Sequence, residues 1–207
     1  MFNITSRKLY LENPNSIQTK SAMTESPNKY KELFKVFEVF LIDGIIDTNY
    51  INIWADNIIS KESESEYEFI ELSTTNNIND LIVLLKRLSA NCNLKISQRA
   101  VFGILYNSTF EDFPNIKIAS RTIYRFVYDD ALIEKEKEFL YGIDDSIELA
   151  LTGVYGDIDK LKNELWDFLE IYQTLNFHTY ENWIMINNKI EENLEENLKT
   201  IKDKYSV

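Results

Sequence analysis

The feature that most constrains the fold is an apolar stripe that begins just after Asp157. Its members recur at three- and four-residue steps: Ile158, Leu161, Leu165, Phe168, Leu169 and Tyr172. This spacing places them on one face of an α-helix, and charged residues such as Lys160 and Glu164 fall on the other faces. The pattern predicts an amphipathic helix that is capped by Asp157 and buries one face against other helices.

Further stripes and capping signals predict helices along the first half of the chain. The predicted starts and stops are a Ser26 cap with Pro27 in the first turn, a stop at Asp43-Gly44, a helix from about Thr48 to Ser60, a capping box of Ser65 and Glu68, and a cap at Asn76 or Asn77. The helix over 78–88 is apolar around much of its circumference. It is therefore predicted to be a central helix.

The second half of the chain shows the same kind of signal. The predicted starts and stops are a loop over 91–95, a Ser97 cap, a break at Pro114, a turn at Asp129-Asp130, a short charged helix over 132–141 that Gly142 stops, a capping box of Asp145 and Glu148, and stops at Gly153 and Gly156. Alternating Glu and Lys over 132–141 predict a solvated surface. The final helix carries a narrow apolar stripe: Trp183, Ile190, Leu194, Leu198, Ile201 and Tyr205.

These elements predict an all-α fold, an irregular helical bundle of successive antiparallel helix hairpins. A short stack of HEAT-like helix pairs is the alternative arrangement. Residues 1–25 show no sustained period and are predicted to form an extended N-terminal arm, with a small β hairpin as the alternative. Residues 26–207 are predicted to form a single helical domain, or at most two closely packed halves.

Charge and cysteine content narrow the classes of partner and site. A net charge of -12 disfavours nucleic acid and anionic lipid as partners and favours a basic protein surface, although acidity can also serve solubility alone. The lone Cys92 can form neither an internal disulfide nor a structural zinc site. No apolar run approaches the roughly 18 residues of a membrane span, and MFNITSRKLY lacks the apolar core of a signal peptide, so a cytoplasmic location is predicted.

No set of catalytic, metal-binding or cofactor-binding residues is predicted. His178 is the only histidine, which excludes a multi-histidine metal site, and a linker or capping role is favoured for it. The glycines between 142 and 156 resemble a phosphate cradle, but Asp157 and Asp159 would repel an anion there. Acid pairs at 129–130, 144–145 and 157/159 lack the spacing of a calcium loop and are best explained as helix caps.

Three stretches carry a resemblance to a known family. FEVFLIDGIIDTNYINIWADNII, YEFIELS and YNSTFEDFPNIKIASRTIYRFV occur in an order that resembles an uncharacterised bacterial family, domain of unknown function number 2247. The aspartate-rich tyrosine motif of that family is approximated by Tyr106, Phe110, Asp112 and Pro114. That family implies no activity. More generally, the chain is similar to the small acidic immunity proteins of bacterial toxin systems, which implies a catalytically inert protein that binds one toxin domain.

The sequence therefore favours an acidic binding protein, an immunity-type inhibitor of a basic toxin domain. Its candidate partner-binding residues are acids in predicted turns: Glu62, Glu64, Glu66, Asp129, Asp130, Asp144 and Asp145. Two alternatives remain open. One is an enzyme whose scattered carboxylates converge in a concave pocket, and the other is a helical interaction scaffold with an exposed apolar groove.

Overall fold

The described part of the chain is helical throughout. The structure is a computed structural model, and it describes residues 26–61, 65–108 and 116–205. Within these ranges there are helices and turns but no strands, so the predicted all-α class is confirmed. The chain divides into two compact units, with the boundary between Asn91 and Cys92. The predicted N-terminal arm and its alternative β hairpin lie outside the described residues.

The first unit is built from a short 3-10 turn and, among its described residues, four α-helices. They are the turn Pro27–Tyr30, α1 (Lys31–Ile42), α2 (Thr48–Ile59), α3 (Tyr67–Thr74) and α4 (Ile78–Leu88). The most extensive helix packing is between α2 and α3 and between α1 and α4. The α1–α4 pair is not consecutive in the chain, so successive hairpins are not confirmed as the general plan.

Aromatic side chains form the core of the first unit. Trp54 meets the rings of Tyr30, Phe34 and Phe37 edge-on, at centroid distances of 5.1, 5.8 and 5.3 Å. This geometry places the positive edge of one ring against the negative face of another. The side-chain amide of Asn52 also donates to two backbone oxygens near the end of α3, those of Leu72 (2.6 Å) and Thr75 (3.1 Å), which ties α3 to α2.

The second unit contains five described α-helices and two 3-10 segments. They are α5 (Leu94–Asn107), α6 (Ile116–Tyr124), the segment Arg125–Tyr128, α7 (Glu134–Leu151), α8 (Ile158–Glu170), the segment Phe177–Asn182 and α9 (Trp183–Tyr205). Helix α8 packs against α5, α7 and α9, and α7 also packs against α6. Phe102, Phe168 and Tyr172 meet at centroid distances of 5.0 to 5.4 Å and form the centre of this core.

Gly103 permits the closest helix packing in this unit. A Cβ atom at residue 103 would overlap the backbone oxygens of Tyr172 and Leu175, just beyond the end of α8. Only glycine allows the backbone of α5 to approach so closely. The side-chain amide of Asn107 bridges the two segments by donating to the oxygens of Gly103 and Gln173, at 2.6 Å each.

Several predicted boundaries are confirmed. Gly44, with a φ of +69°, follows the end of α1. Asn77 caps α4, and the Asp157 carboxylate accepts from the backbone N–H groups of Asp159 and Lys160 at the start of α8. The stripes of α8 and α9 are confirmed too. In α8, Leu165, Phe168 and Leu169 are buried. In α9, five of the six residues of the predicted stripe are buried: Trp183, Ile190, Leu194, Leu198 and Ile201.

The predicted break at Gly142 is wrong, because α7 runs without interruption from Glu134 to Leu151. Leu140, Ile143 and Ile147 are buried and continue one apolar face across the glycine. A glycine inside a helix costs only about 0.5 to 1 kcal/mol, which this packing outweighs. The predicted capping box of Asp145 and Glu148 is therefore wrong as well, and Asp144 and Asp145 lie inside a helix instead of in a turn.

Four other predictions about helix starts or burial are wrong. Ser26 makes no capping hydrogen bond through its side chain, and α1 begins only at Lys31, after the 3-10 turn. Helix α5 is capped by Asn93, whose side-chain oxygen Oδ1 accepts from Ile96 N–H at 3.3 Å, so Ser97 lies inside the first turn. Helix α3 starts after Glu66 with no side-chain cap, in place of the box expected from Ser65. Helix α4 is not central, because Val83 is 67 % exposed. Apolar residues around a helix therefore do not by themselves show burial on every side.

Candidate functional site

A buried ionic network holds α7 in place. Arg99 on α5 is fully buried and donates through Nε and a terminal nitrogen to the two oxygens of Glu136, at 2.9 and 3.1 Å. Its other terminal nitrogen reaches Asn187 and Glu191 on α9, at 2.8 Å each. The Tyr172 hydroxyl donates to Glu136 at 2.7 Å. Bidentate pairing and these added bonds satisfy the charges away from water.

The electrostatics of this network favour its charged form. Burial lowers the pKa of Arg99, but the hydrogen bond and charge of Glu136 outweigh burial and raise it. Burial and the charge of Glu136 raise the pKa of Tyr172 well above its ordinary value, so its hydroxyl stays protonated as a donor. Every charged member has a partner, and Glu136 also accepts from Ile133 N–H at the start of α7. The network therefore acts as an anchor for α7.

The exposed surface above this anchor carries a cluster of tyrosines and acids. We call it the tyrosine–carboxylate face and define it as Tyr124, Tyr128, Tyr141, Asp144 and Asp145. Helix α6 and the 3-10 segment after it supply the first two tyrosines, and α7 supplies the other three residues. Because α6 and the 3-10 segment both pack on α7, all five residues belong to one rigid part of the second unit.

The tyrosines of this face contact one another and stay open to solvent. The hydroxyls of Tyr124 and Tyr128 are hydrogen-bonded at 2.8 Å, and their rings meet edge-on at 5.7 Å. The ring of Tyr141 lies 6.3 Å from that of Tyr124. Tyr128 is 72 % exposed and Tyr141 is 55 % exposed. Large aromatic rings held in one place with exposed faces are typical of protein interfaces.

The carboxylates of the face raise the proton affinity of their neighbours. The hydrogen bond with Tyr128, aided by desolvation and by the charge of Asp145, raises the pKa of Tyr124 to about 12. Partial burial raises the pKa of Asp144, and the charges of Asp145 and Glu148 act in the same direction. Hydrogen bonding to Ser120 and the charge of Lys117 only partly offset these effects.

The acids near the end of α7 also repel one another. Residues 142–151 form the C-terminal part of α7, and they contain three acids, Asp144, Asp145 and Glu148, but no lysine or arginine. Asp144 and Asp145 lie four and three residues before Glu148, so they are its like-charge neighbours on the helix surface, and only Glu148 lies in the last turn, where the negative end of the helix dipole also disfavours an acid. Among the described residues, Lys117 forms an ion pair with Glu148, at 3.4 Å between exposed groups. A cation from outside would relieve this repulsion.

The sequence-predicted acids are distributed over both units. Asp129 and Asp130 directly follow Tyr128; Asp129 accepts from the Gln98 amide at 2.6 Å, and the fully exposed Asp130 lies 3.5 Å from Lys137. Asp144 and Asp145 lie on α7 and belong to the tyrosine–carboxylate face itself. Glu66 is exposed at the start of α3 in the first unit. Glu62 and Glu64 lie outside the described residues.

Sequence reasoning missed the tyrosines of the face and both charges of the anchor. Tyr124 and Tyr128 are four residues apart, and so are Tyr141 and Asp145, which is the spacing of neighbours on a helix surface. That spacing was the available signal. Arg99 and Glu136 gave none, because Glu136 lies within alternating Glu and Lys residues that are typical of a solvated helix.

Two grooves of the described surface contain few acids. One groove of about 580 Å³ is lined by a single carboxylate, Glu148, together with Lys117 and Lys162. A second groove, of about 600 Å³, is lined by amide, hydroxyl and apolar groups together with Lys189. Among the described residues no cluster of three or more acids, histidines or cysteines could hold a metal. Asp144 and Glu164 have carboxyl pKa values that are raised, first of all by burial. Their charged neighbours differ, so these two carboxyl groups do not form one pair.

Comparisons with known proteins give no independent identification. No family model matches the chain, no curated protein matches it, and no solved structure matches it. The resemblance to the uncharacterised bacterial family therefore stays a prediction. In the described ranges, no helix combines the length and apolarity needed to cross a membrane.

Proposed function

We propose that this chain is a non-enzymatic protein that binds a basic protein partner through the tyrosine–carboxylate face. Within that class, we propose an immunity-type inhibitor of a basic bacterial toxin domain that acts in the cytoplasm. The observation that carries the proposal is the joint presence of exposed, clustered tyrosines and mutually repelling acids on the second half of α7. Like charges one turn apart destabilise a helix, whereas a basic partner would neutralise them.

Apolar residues beyond the acids extend the surface available to a partner. Leu149, Leu151, Val154 and Tyr155 are between 42 and 79 % exposed at and beyond the end of α7. Interfaces combine aromatic and apolar contacts near their centre with charged residues at the rim. The net charge of -12 would also speed the encounter with a basic protein, mainly by raising the association rate.

Position-specific cross-linking in the native cell tests the proposal. The photoreactive residue p-benzoylphenylalanine is placed at Tyr128 or at Tyr141, and as a control at Ile184, which is 67 % exposed on α9. A basic polypeptide is expected at the two tyrosine positions but not at the control. Failure to recover one at either tyrosine position would refute the binding face.

Co-expression with the recovered partner then tests the immunity-type role. The wild-type chain is expected to restore growth to cells that produce the partner, and Asp144→Asn/Asp145→Asn is expected to restore it less well. The matched control is Glu192→Gln/Glu196→Gln, which removes the same charge from exposed positions on α9. If the partner does not impair growth, the toxin-inhibitor role is wrong although a binding role can stand.

A further inference from the structure

We propose that the tyrosine–carboxylate face recognises arginine side chains of its partner, and that it prefers arginine to lysine. This inference rests on the proposed function and names the chemistry of the contact. Its occupant is an exposed basic segment of the partner that presents guanidinium groups to the rings of Tyr128 and Tyr141.

The first step of the argument is the accessibility of the rings. Tyr128 and Tyr141 are more than half exposed, and both are held in place through Tyr124. The face of a tyrosine ring carries negative potential and attracts a cation within about 6 Å of its centre. Because each ring already contacts Tyr124, its position is partly restricted before a ligand binds, which lowers the cost of ordering it.

The second step is charge complementarity. Asp145 is exposed beside the rings, and its charge contributes to the raised pKa of Tyr124. The basic residues near the face are Lys117, Arg121 and Arg125 on α6 and the segment after it, and Lys137 on α7, one turn before Tyr141. Lys117 is paired with Glu148, and Lys137 lies 3.5 Å from Asp130. On α7 itself, the ten residues from 142 to 151 carry acids only. A cationic ligand therefore fits the α7 side of the face.

The third step distinguishes arginine from lysine. A guanidinium group is planar and weakly hydrated, so it can stack on a tyrosine ring while its edge donates two hydrogen bonds to a carboxylate. A lysine ammonium group is compact and strongly hydrated, and it can satisfy only the charge. Rings next to a carboxylate, as at Tyr141 and Asp145 one helical turn apart, use both properties of arginine.

The test uses two acetylated and amidated peptides of equal length and charge, one with arginines and one with lysines at the same positions. The full chain carries ¹³C-labelled tyrosine, and NMR signals of the rings are assigned with single Tyr→Phe variants. The arginine peptide is expected to shift the signals of Tyr128 and Tyr141 and to bind with a Kd lower by about two- to fivefold per ring contacted. The control ring is Tyr67, which is 69 % exposed in the first unit. Glu71, the carboxylate one turn after Tyr67, is already paired with Arg87, so Tyr67 is expected to show no such preference.

Two variants separate the roles of rings and charge. Tyr128→Leu/Tyr141→Leu removes exposed rings and is expected to abolish the preference while both peptides still bind through charge. Asp145→Asn is expected to weaken both peptides. Equal Kd values for the two peptides on the wild-type chain, no detectable binding, or a preference that survives in the leucine variant would overturn the inference. A clear preference without a basic cross-linked partner would instead leave this inference standing and refute the proposed function.

Discussion

Removal of the Glu136 carboxylate should destabilise the second unit more than any surface change. Glu136 accepts from Arg99 twice, from the Tyr172 hydroxyl and from Ile133 N–H, at distances between 2.7 and 3.1 Å. In Glu136→Leu these donors lose their acceptor, and the fully buried Arg99 keeps only Asn187 and the partly exposed Glu191. Breaking a buried ion pair on one side costs about 3 to 5 kcal/mol, so we expect a loss of that size.

A thermodynamic cycle tests whether the loss comes from the unpaired charge. The triple variant Arg99→Met/Glu136→Leu/Tyr172→Phe removes the donors together with the acceptor, and it should be far more stable than the sum of the single changes predicts. Urea unfolding is followed by the fluorescence of Trp166 and Trp183, in a background in which Trp54 of the first unit is replaced by Phe. A loss below about 1 kcal/mol for Glu136→Leu, or additive effects in the triple variant, would refute the reasoning.

Four further outcomes are expected. Leu165→Asp places a carboxylate at a fully buried position and should lower stability by several kcal/mol. Glu164→Ala, at a half-buried position, should change stability by less than about 0.5 kcal/mol. Equal melting temperatures of the two variants, followed by circular dichroism at 222 nm, would show that the register of α8 is wrong. Gly103→Ala should destabilise the second unit by at least about 1 to 3 kcal/mol in urea unfolding, because the new Cβ would overlap the backbone oxygens of Tyr172 and Leu175. At Gly142 a Cβ would have no atom within 4 Å, so Gly142→Ala should stabilise the unit by about 0.4 to 1 kcal/mol. Burial raises the pKa of Glu191, but hydrogen bonds from Lys95 and Arg99 outweigh burial and hold that pKa below 4.5. The stabilisation by Glu191 is therefore present above pH 4.5 and is lost as the pH falls through the lowered pKa. Glu191→Gln should flatten this decline of the melting temperature in acid, and Glu192→Gln should not. Asp145→Lys replaces a repulsion with Glu148 by an attraction, so it should raise stability by about 0.2 to 0.5 kcal/mol in thermal melts while it weakens cross-linking to the partner. A loss of stability would show that Asp145 supports the fold.

The periodic parts of the fold were predictable because they depend on local patterns. The stripe of α8 and its Asp157 cap were correct since three- and four-residue spacing fixes a helix face, and since an aspartate at this position accepts from the first free N–H groups. The break at Gly142 was not predictable in this way. Whether a glycine ends a helix depends on the apolar contacts on both sides of it, here made by Leu140 and Ile143, and those contacts are tertiary.

The anchor and the tyrosine–carboxylate face also depend on tertiary packing that the sequence does not show. Glu136 looks like a surface residue in sequence because its neighbours Lys135 and Lys137 are charged, yet it is fully buried by its pairing with Arg99, 37 positions earlier. The sequence predicts that Asp144 and Asp145 lie in a turn, whereas they lie within α7. The predicted exposure is correct for Asp145 and partly correct for Asp144, which is half-exposed. The tyrosines next to these acids could not be predicted, because the packing of α6 on α7 brings them there.

The charges of the two halves of α7 have opposite effects on the fold. Its first half is fixed by Glu136, whose charge is paired and hydrogen-bonded, so this half contributes to the fold. Its second half places Asp144 and Asp145 one turn before Glu148, and the hydrogen bond of Asp144 with Ser120 and the ion pair of Glu148 with Lys117 only partly offset the repulsion among these acids. The anchored first half keeps the acids and Tyr141 on one helix although the acids repel one another. Local rules that a sequence breaks are typical of functional sites, and this is the physical reason to look for the partner at the second half of α7.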